Sequence, residues 1–108
     1  MLDQETIEKT ILSYEGSKKS FPYEKGLAVF SYNDDPFILM SEGSEPLRLT
    51  LRCDEKLGKV LGEKYESVMP AKKMNPKKWI DIILSGQLQN DEVQSLLLHA
   101  YLVVKEAV

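Results

Sequence analysis

The chain has 108 residues, of which 43% are hydrophobic and 29% charged, a balance that suits one domain around one core and excludes disordered, fibrous and disulfide-scaffolded classes. No apolar run reaches the roughly 18–20 residues that span a bilayer, and the acidic start Met1-Leu-Asp-Gln-Glu lacks the pattern of a signal peptide, so the expected location is the cytoplasm with no membrane partner. The net charge of −3 is unevenly spread: between Pro46 and Ile80 there are nine basic and four acidic residues, against five basic and thirteen acidic elsewhere. An acidic protein can thus carry a local positive field.

The pattern predicts a first helix from Asp3, its cap, to about Ser13, with Ile7, Ile11 and Tyr14 on one stripe and Gly16 closing it. Ser17 to Lys25 reads as a loop in which Phe21 and Tyr23 pin the chain to the core. Strands Leu27–Tyr32 and Phe37–Ser41 flank the hairpin signal Asn33-Asp34-Asp35-Pro36, and a turn at Glu42–Glu45 leads to a third strand, Leu47–Arg52. There Leu47, Leu49, Leu51 and Cys53 alternate with Arg48, Thr50 and Arg52, so one face is core and the other wet.

Asp54 caps a second, short helix with Leu57, Val60 and Leu61 as its buried stripe, weakened by Gly58 and Gly62. A weak strand near Val68-Met69 precedes the most informative stretch. Pro70 and Pro76 lack amide donors and push the preceding residues out of helical space, so Ala71 to Lys78 reads as an ordered exposed loop bearing Lys72, Lys73, Lys77 and Lys78. Asn75 is a turn residue before Pro76. The strand Trp79–Leu84 anchors this loop, with Ile80, Ile82 and Leu84 toward the core and Trp79, Asp81 and Ile83 on the other face. After a turn at Ser85-Gly86-Gln87, Asn90 caps a last helix with Val93, Leu97, Ala100, Val104 and Ala107 along one side. Leu98 and Leu102 fall among polar residues on its far side, where a neighbouring segment or a second subunit would cover them. The expected architecture is a single α+β domain, two-layered, with helices on one face of an antiparallel sheet in the order α-β-β-β-α-β-β-α and the other face partly open.

Catalytic and metal chemistry find little support in these residues. A single Cys53 and a single His99 cannot build a tetrahedral metal site within one chain. There is no Gly-rich phosphate loop and no nucleophile elbow, and Asp34-Asp35 sits where turns favour such residues. The expectation is a protein with no cofactor and no enzymatic activity.

Leu49-Thr-Leu-Arg-Cys-Asp54, Tyr65-Glu-Ser-Val-Met-Pro70, Met74-Asn75, Trp79 and a final helix containing Tyr101 together resemble the MmcQ/YjbR family over about residues 20 to 108. The resemblance implies a small bacterial cytoplasmic protein whose fold is similar to type III secretion chaperones. It also implies DNA binding, through the likeness of the family's sheet to the double-wing domain of a phage transcription factor. Several positions depart from the family pattern: Lys72-Lys73 and Lys78 stand where histidines are common, Ala100 where Ser is usual, and Asn33-Asp34-Asp35-Pro36 where Gly-Lys often forms the first hairpin. Lysine retains a point charge at those places.

Two functions stay open. In a nucleic-acid-binding module, Lys72, Lys73, Lys77 and Lys78 neutralise phosphates of DNA while Arg48, Arg52 and Trp79 add contacts or stacking from the open face. In a protein-interaction module, the sheet face or the Leu98/Leu102 pair binds a partner protein or a second copy in a homodimer.

Overall fold

The computed structural model describes residues 2–107. Its elements are α1 (Gln4–Leu12), β1 (Ser17–Ser20), β2 (Leu27–Tyr32), β3 (Asp35–Ser41), β4 (Arg48–Arg52), α2 (Glu55–Lys64), β5 (Val68–Pro70), β6 (Trp79–Ile83) and α3 (Asn90–Lys105). The strands form one antiparallel sheet in the order β1-β2-β3-β4-β6-β5.

The alternation in β4 sets the register of the centre. Leu49 lies opposite Met40 and Ile82, and Leu51 opposite Ile38 and Ile80, so two apolar rows cross three strands. These residues are almost wholly buried with Ile7 and Ile11 of α1 and Leu97, Ala100 and Val104 of α3. Full burial of each large side chain contributes about 1.5–3 kcal/mol relative to exposure. Arg48 and Arg52 point to the opposite face, as the period of two requires. Helix α3 packs across β2, β3 and β4, while α2 lies against β5 and β6.

The caps follow the residue types. Asp3 Oδ1 accepts the Thr6 amide at 2.8 Å, and Asp54 Oδ2 accepts those of Lys56 and Leu57 at 3.1 and 3.2 Å. At α3 the cap is Gln89 rather than Asn90, because Glu92 reaches back to accept the Gln89 amide at 3.0 Å and so moves the helix start by one residue.

The β2–β3 hairpin closes with Asn33 and Asp34 at φ of 50° and 65°, a two-residue turn that matches strand twist, so β3 starts at Asp35 and not at Phe37. A bulge at Phe30/Ser31 follows from the extra residue, and it turns Phe37 inward. There Phe37 meets the Tyr101 ring edge-on at 5.5 Å, beside Tyr32 at 5.7 Å and Tyr14 at 4.9 Å, and the Tyr101 hydroxyl donates to Glu15 O.

Three further expectations need correction. Ser17–Ser20 is a sixth strand at the sheet edge, paired with Val29–Tyr32, and its Lys19 side chain is held by Glu8 of α1 and by Glu42 just after β3. Phe21 and Tyr23 do not pin the loop; they are 48% and 55% exposed. Val60 is 59% exposed, since Leu57 and Leu61 alone turn toward the core and no residue of α2 is fully buried.

Candidate nucleic-acid interface

The sheet's outer face is built from the residues that alternate away from the helices. Val29, Leu39, Thr50, Asp81 and Met69 form one row across β2, β3, β4, β6 and β5. Part of this face is closed by the 71–78 loop. Ala71 and Met74 pack onto Leu27, Val29, Leu39 and Trp79, making a second apolar cluster beneath the lysines. The outer face is therefore less open than its alternation predicts, and the loop is the reason.

Polar contacts hold the loop along its length. The buried Asp81 carboxylate accepts the Thr50 hydroxyl at 2.7 Å and the Lys72 amide at 3.3 Å. Asn75 Oδ1 accepts the Lys77 amide and Asn75 O the Lys78 amide, both at 3.0 Å, which is the turn expected before Pro76. Lys78 O accepts the Cys53 amide at 2.9 Å, tying the loop's end to the end of β4. Each contact uses backbone or a side chain other than lysine, so the four amino groups are left at the surface.

Lys72, Lys73, Lys77 and Lys78 are all exposed. Lys73 Nζ lies 3.0 Å from Glu24 Oε1, with both side chains more than half exposed, a screened pair that ties the 21–26 loop to the basic loop at little energetic gain. Arg52 places its guanidinium 5.6 Å from the centre of the Trp79 ring, and its Nε is buried with no acceptor among the described residues. Arg48 is exposed on the same face of β4, about 13 Å from Arg52 by strand rise. Trp79 corrects a sequence expectation: at 4% exposure it floors the loop and has no free ring face on which a base could stack. Exposed aromatic surface is supplied instead by Phe21 and Tyr23. Their position in a stretch with Lys18, Lys19 and Lys25 is the signal that could have marked them.

The remaining candidates lie elsewhere. Leu98 is 43% exposed on α3, whereas Leu102 is half-buried and packs against the core, so the structure separates the pair into one exposed and one covered residue. His99 Nε2 accepts the Asp54 amide at 3.2 Å and thereby joins α3 to the start of α2. Burial, with the Asp54 charge adding to it, pushes the Cys53 thiol up to about 11. Among the described residues no group of three or more His, Cys, Asp or Glu could hold a metal ion, and no helix is long and apolar enough to cross a membrane.

Residues 12–103 match the family model YjbR. No curated protein matches the sequence. Among solved structures, a Deinococcus radiodurans protein, DR2400, described as carrying the domain DUF419, superposes with a TM-score of 0.87 at 25% identity, covering 94% of this chain and 78% of its own. A Pseudomonas syringae protein known from a crystal structure superposes with a TM-score of 0.77 at 27% identity, covering 96% of this chain and 99% of its own.

Proposed function

The chain belongs to the YjbR family, and on that premise we propose that it is a weak, largely non-specific DNA-binding module working through the 71–78 loop and the outer sheet face. The observation that carries the reading is the division of labour in the loop. Asp81, Asn75, Ala71 and Met74 hold its backbone, and Lys72, Lys73, Lys77 and Lys78 remain exposed for phosphates. A loop whose backbone is already held loses little backbone entropy on contact, and phosphate contacts set register without reading sequence. Arg52, whose Nε has no acceptor among the described residues, and Arg48 extend the positive surface along β4.

The net charge of −3 opposes approach of a polyanion at long range. Affinity is accordingly expected in the non-specific range of about 10⁻⁴ to 10⁻⁶ M near physiological salt. Titration of generic duplex DNA against wild-type protein and against Lys→Gln variants at the four positions tests the reading.

One observation favours a second reading, a protein-interaction module. Leu98 leaves a large apolar side chain 43% exposed on α3, and self-association through that helix would cover it.

A further inference from the structure

Helix α2 meets the sheet through a side that carries glycines. Its two glycines, Gly58 and Gly62, turn bare backbone toward β5 and β6. A Cβ on Gly58 would come within 3.0 Å of Ile80 Cγ2, whereas one on Gly62 would find only Val68 O, at 3.8 Å. The helix thus presents backbone rather than side chains at these two positions, tight against Ile80 at Gly58 and within ordinary contact distance of Val68 at Gly62. Between this helix and the strands lies a cleft of about 420 Å³, whose lining includes Val68, Ile80, Pro70, the buried Trp79 and Lys77 of the basic loop. That volume falls within the ~300–1,000 Å³ of small-ligand sites.

We propose that this cleft receives one unpaired nucleobase whose adjoining phosphate is held by Lys77, so that the preferred ligand of the basic loop is single-stranded nucleic acid. The inference rests on the nucleic-acid reading above and names the ligand class of that same surface. A base is planar and apolar on both faces, which suits a cleft whose helix wall is bare at Gly58 and Gly62. A base inside a duplex cannot enter it, because the slot takes the ring faces that stacking would occupy. Two cations and three carboxylates line the cleft. Lys77 marks the loop side of the rim, and Lys59 adds a second cation from α2. Asp54 is occupied in capping α2, and Glu55 and Glu63 on the helix side offer acceptors for the N–H groups of a base edge. The floor stays neutral, since burial keeps the Cys53 thiol protonated.

The experiment compares binding of an unstructured oligothymidylate with that of a duplex of equal length, for wild type, Gly62→Leu and Lys77→Gln. Gly62→Leu fills the slot and leaves every lysine in place. It is expected to weaken single-strand binding about tenfold, the size of one lost base contact, and to leave duplex binding unchanged. Lys77→Gln should weaken both. In wild-type protein, oligothymidylate should shift the Gly58 and Gly62 amide signals and the Ile80 methyl signals, a readout that stands even if Gly62→Leu fails to fold. Shifts confined to residues 72–78, or undiminished single-strand binding by Gly62→Leu, would overturn the slot while leaving the lysine surface intact. Absence of binding to either probe by wild type would overturn both readings together.

Discussion

Asp81 Oδ2 accepts the Lys72 amide at 3.3 Å, and this contact joins the buried outer row of the sheet to the start of the basic loop. The same carboxylate takes the Thr50 hydroxyl at 2.7 Å from the neighbouring strand. Asp81 is 4% exposed, so its removal strands two donors in a place with little water. Asp81→Ala is expected to cost about 1–3 kcal/mol in denaturant unfolding and to speed hydrogen exchange at the Lys72 amide. Asp81→Asn keeps one acceptor oxygen and should cost less. Equal stability of wild type and Asp81→Ala would remove Asp81 as the anchor.

The two glycines of α2 predict opposite balances. At Gly62 an alanine Cβ meets nothing closer than 3.8 Å, so Gly62→Ala should gain up to about 1 kcal/mol of helix propensity. At Gly58 the Cβ would lie 3.0 Å from Ile80 Cγ2, and crowding should offset the same gain. Urea midpoints at unchanged m-value measure both. A larger gain at Gly58 than at Gly62 would contradict the described packing of α2 on β6.

Glu92 links folding to acid. The Tyr65 hydroxyl, and then the Gln89 amide, donate to its carboxylate and hold it below the usual carboxylate range. A depressed folded-state value means that stability is present above the unfolded pKa of about 4.3 and is lost as pH falls through the lower folded one. Tyr65→Phe should therefore flatten the acid limb of a stability–pH profile and leave its neutral plateau changed only modestly. An unaltered acid limb would show that Tyr65 does not stabilise the carboxylate.

Much of the fold was legible because burial was periodic. Leu47 to Cys53 alternate without a break, and Ile80, Ile82 and Leu84 do the same, so register and face follow from spacing. Strand β1 was hidden because Ser17-Lys-Lys-Ser20 has no apolar residue. It is an edge strand whose lysines discourage further pairing, and Glu8 and Glu42, distant in sequence, hold the Lys19 side chain. Val60 was misplaced because a helical stripe drawn at i, i+3 and i+4 includes it, whereas α2 approaches the sheet on its glycine side and presents a narrower face. For the candidate site, the two prolines marked the lysine loop, but nothing local said that Ala71 and Met74 would fold back over Trp79. That contact converts an expected stacking surface into a floor, and it transfers exposed aromatic area to Phe21 and Tyr23.

Association tests the second functional reading. If Leu98 forms a contact between chains, sedimentation should report a dimer, and Leu98→Lys with Leu102→Lys should return a monomer. Leu102 packs against the core, so Leu102→Lys alone should also lower stability, whereas Leu98→Lys should not. A wild-type monomer at every accessible concentration would contradict self-association through α3.

The salt dependence of binding to generic duplex DNA tests the central claim most directly. Neutralisation of three or four phosphates by Lys72, Lys73, Lys77 and Lys78 should make log K fall against log salt with a slope of roughly −3 to −4, from about −0.9 per phosphate. Each Lys→Gln should flatten that slope by about one unit, weaken binding similarly across sequences and change stability by no more than about 0.5 kcal/mol. No binding at low salt, or a slope indifferent to the four lysines, would contradict the account and place protein interaction above it.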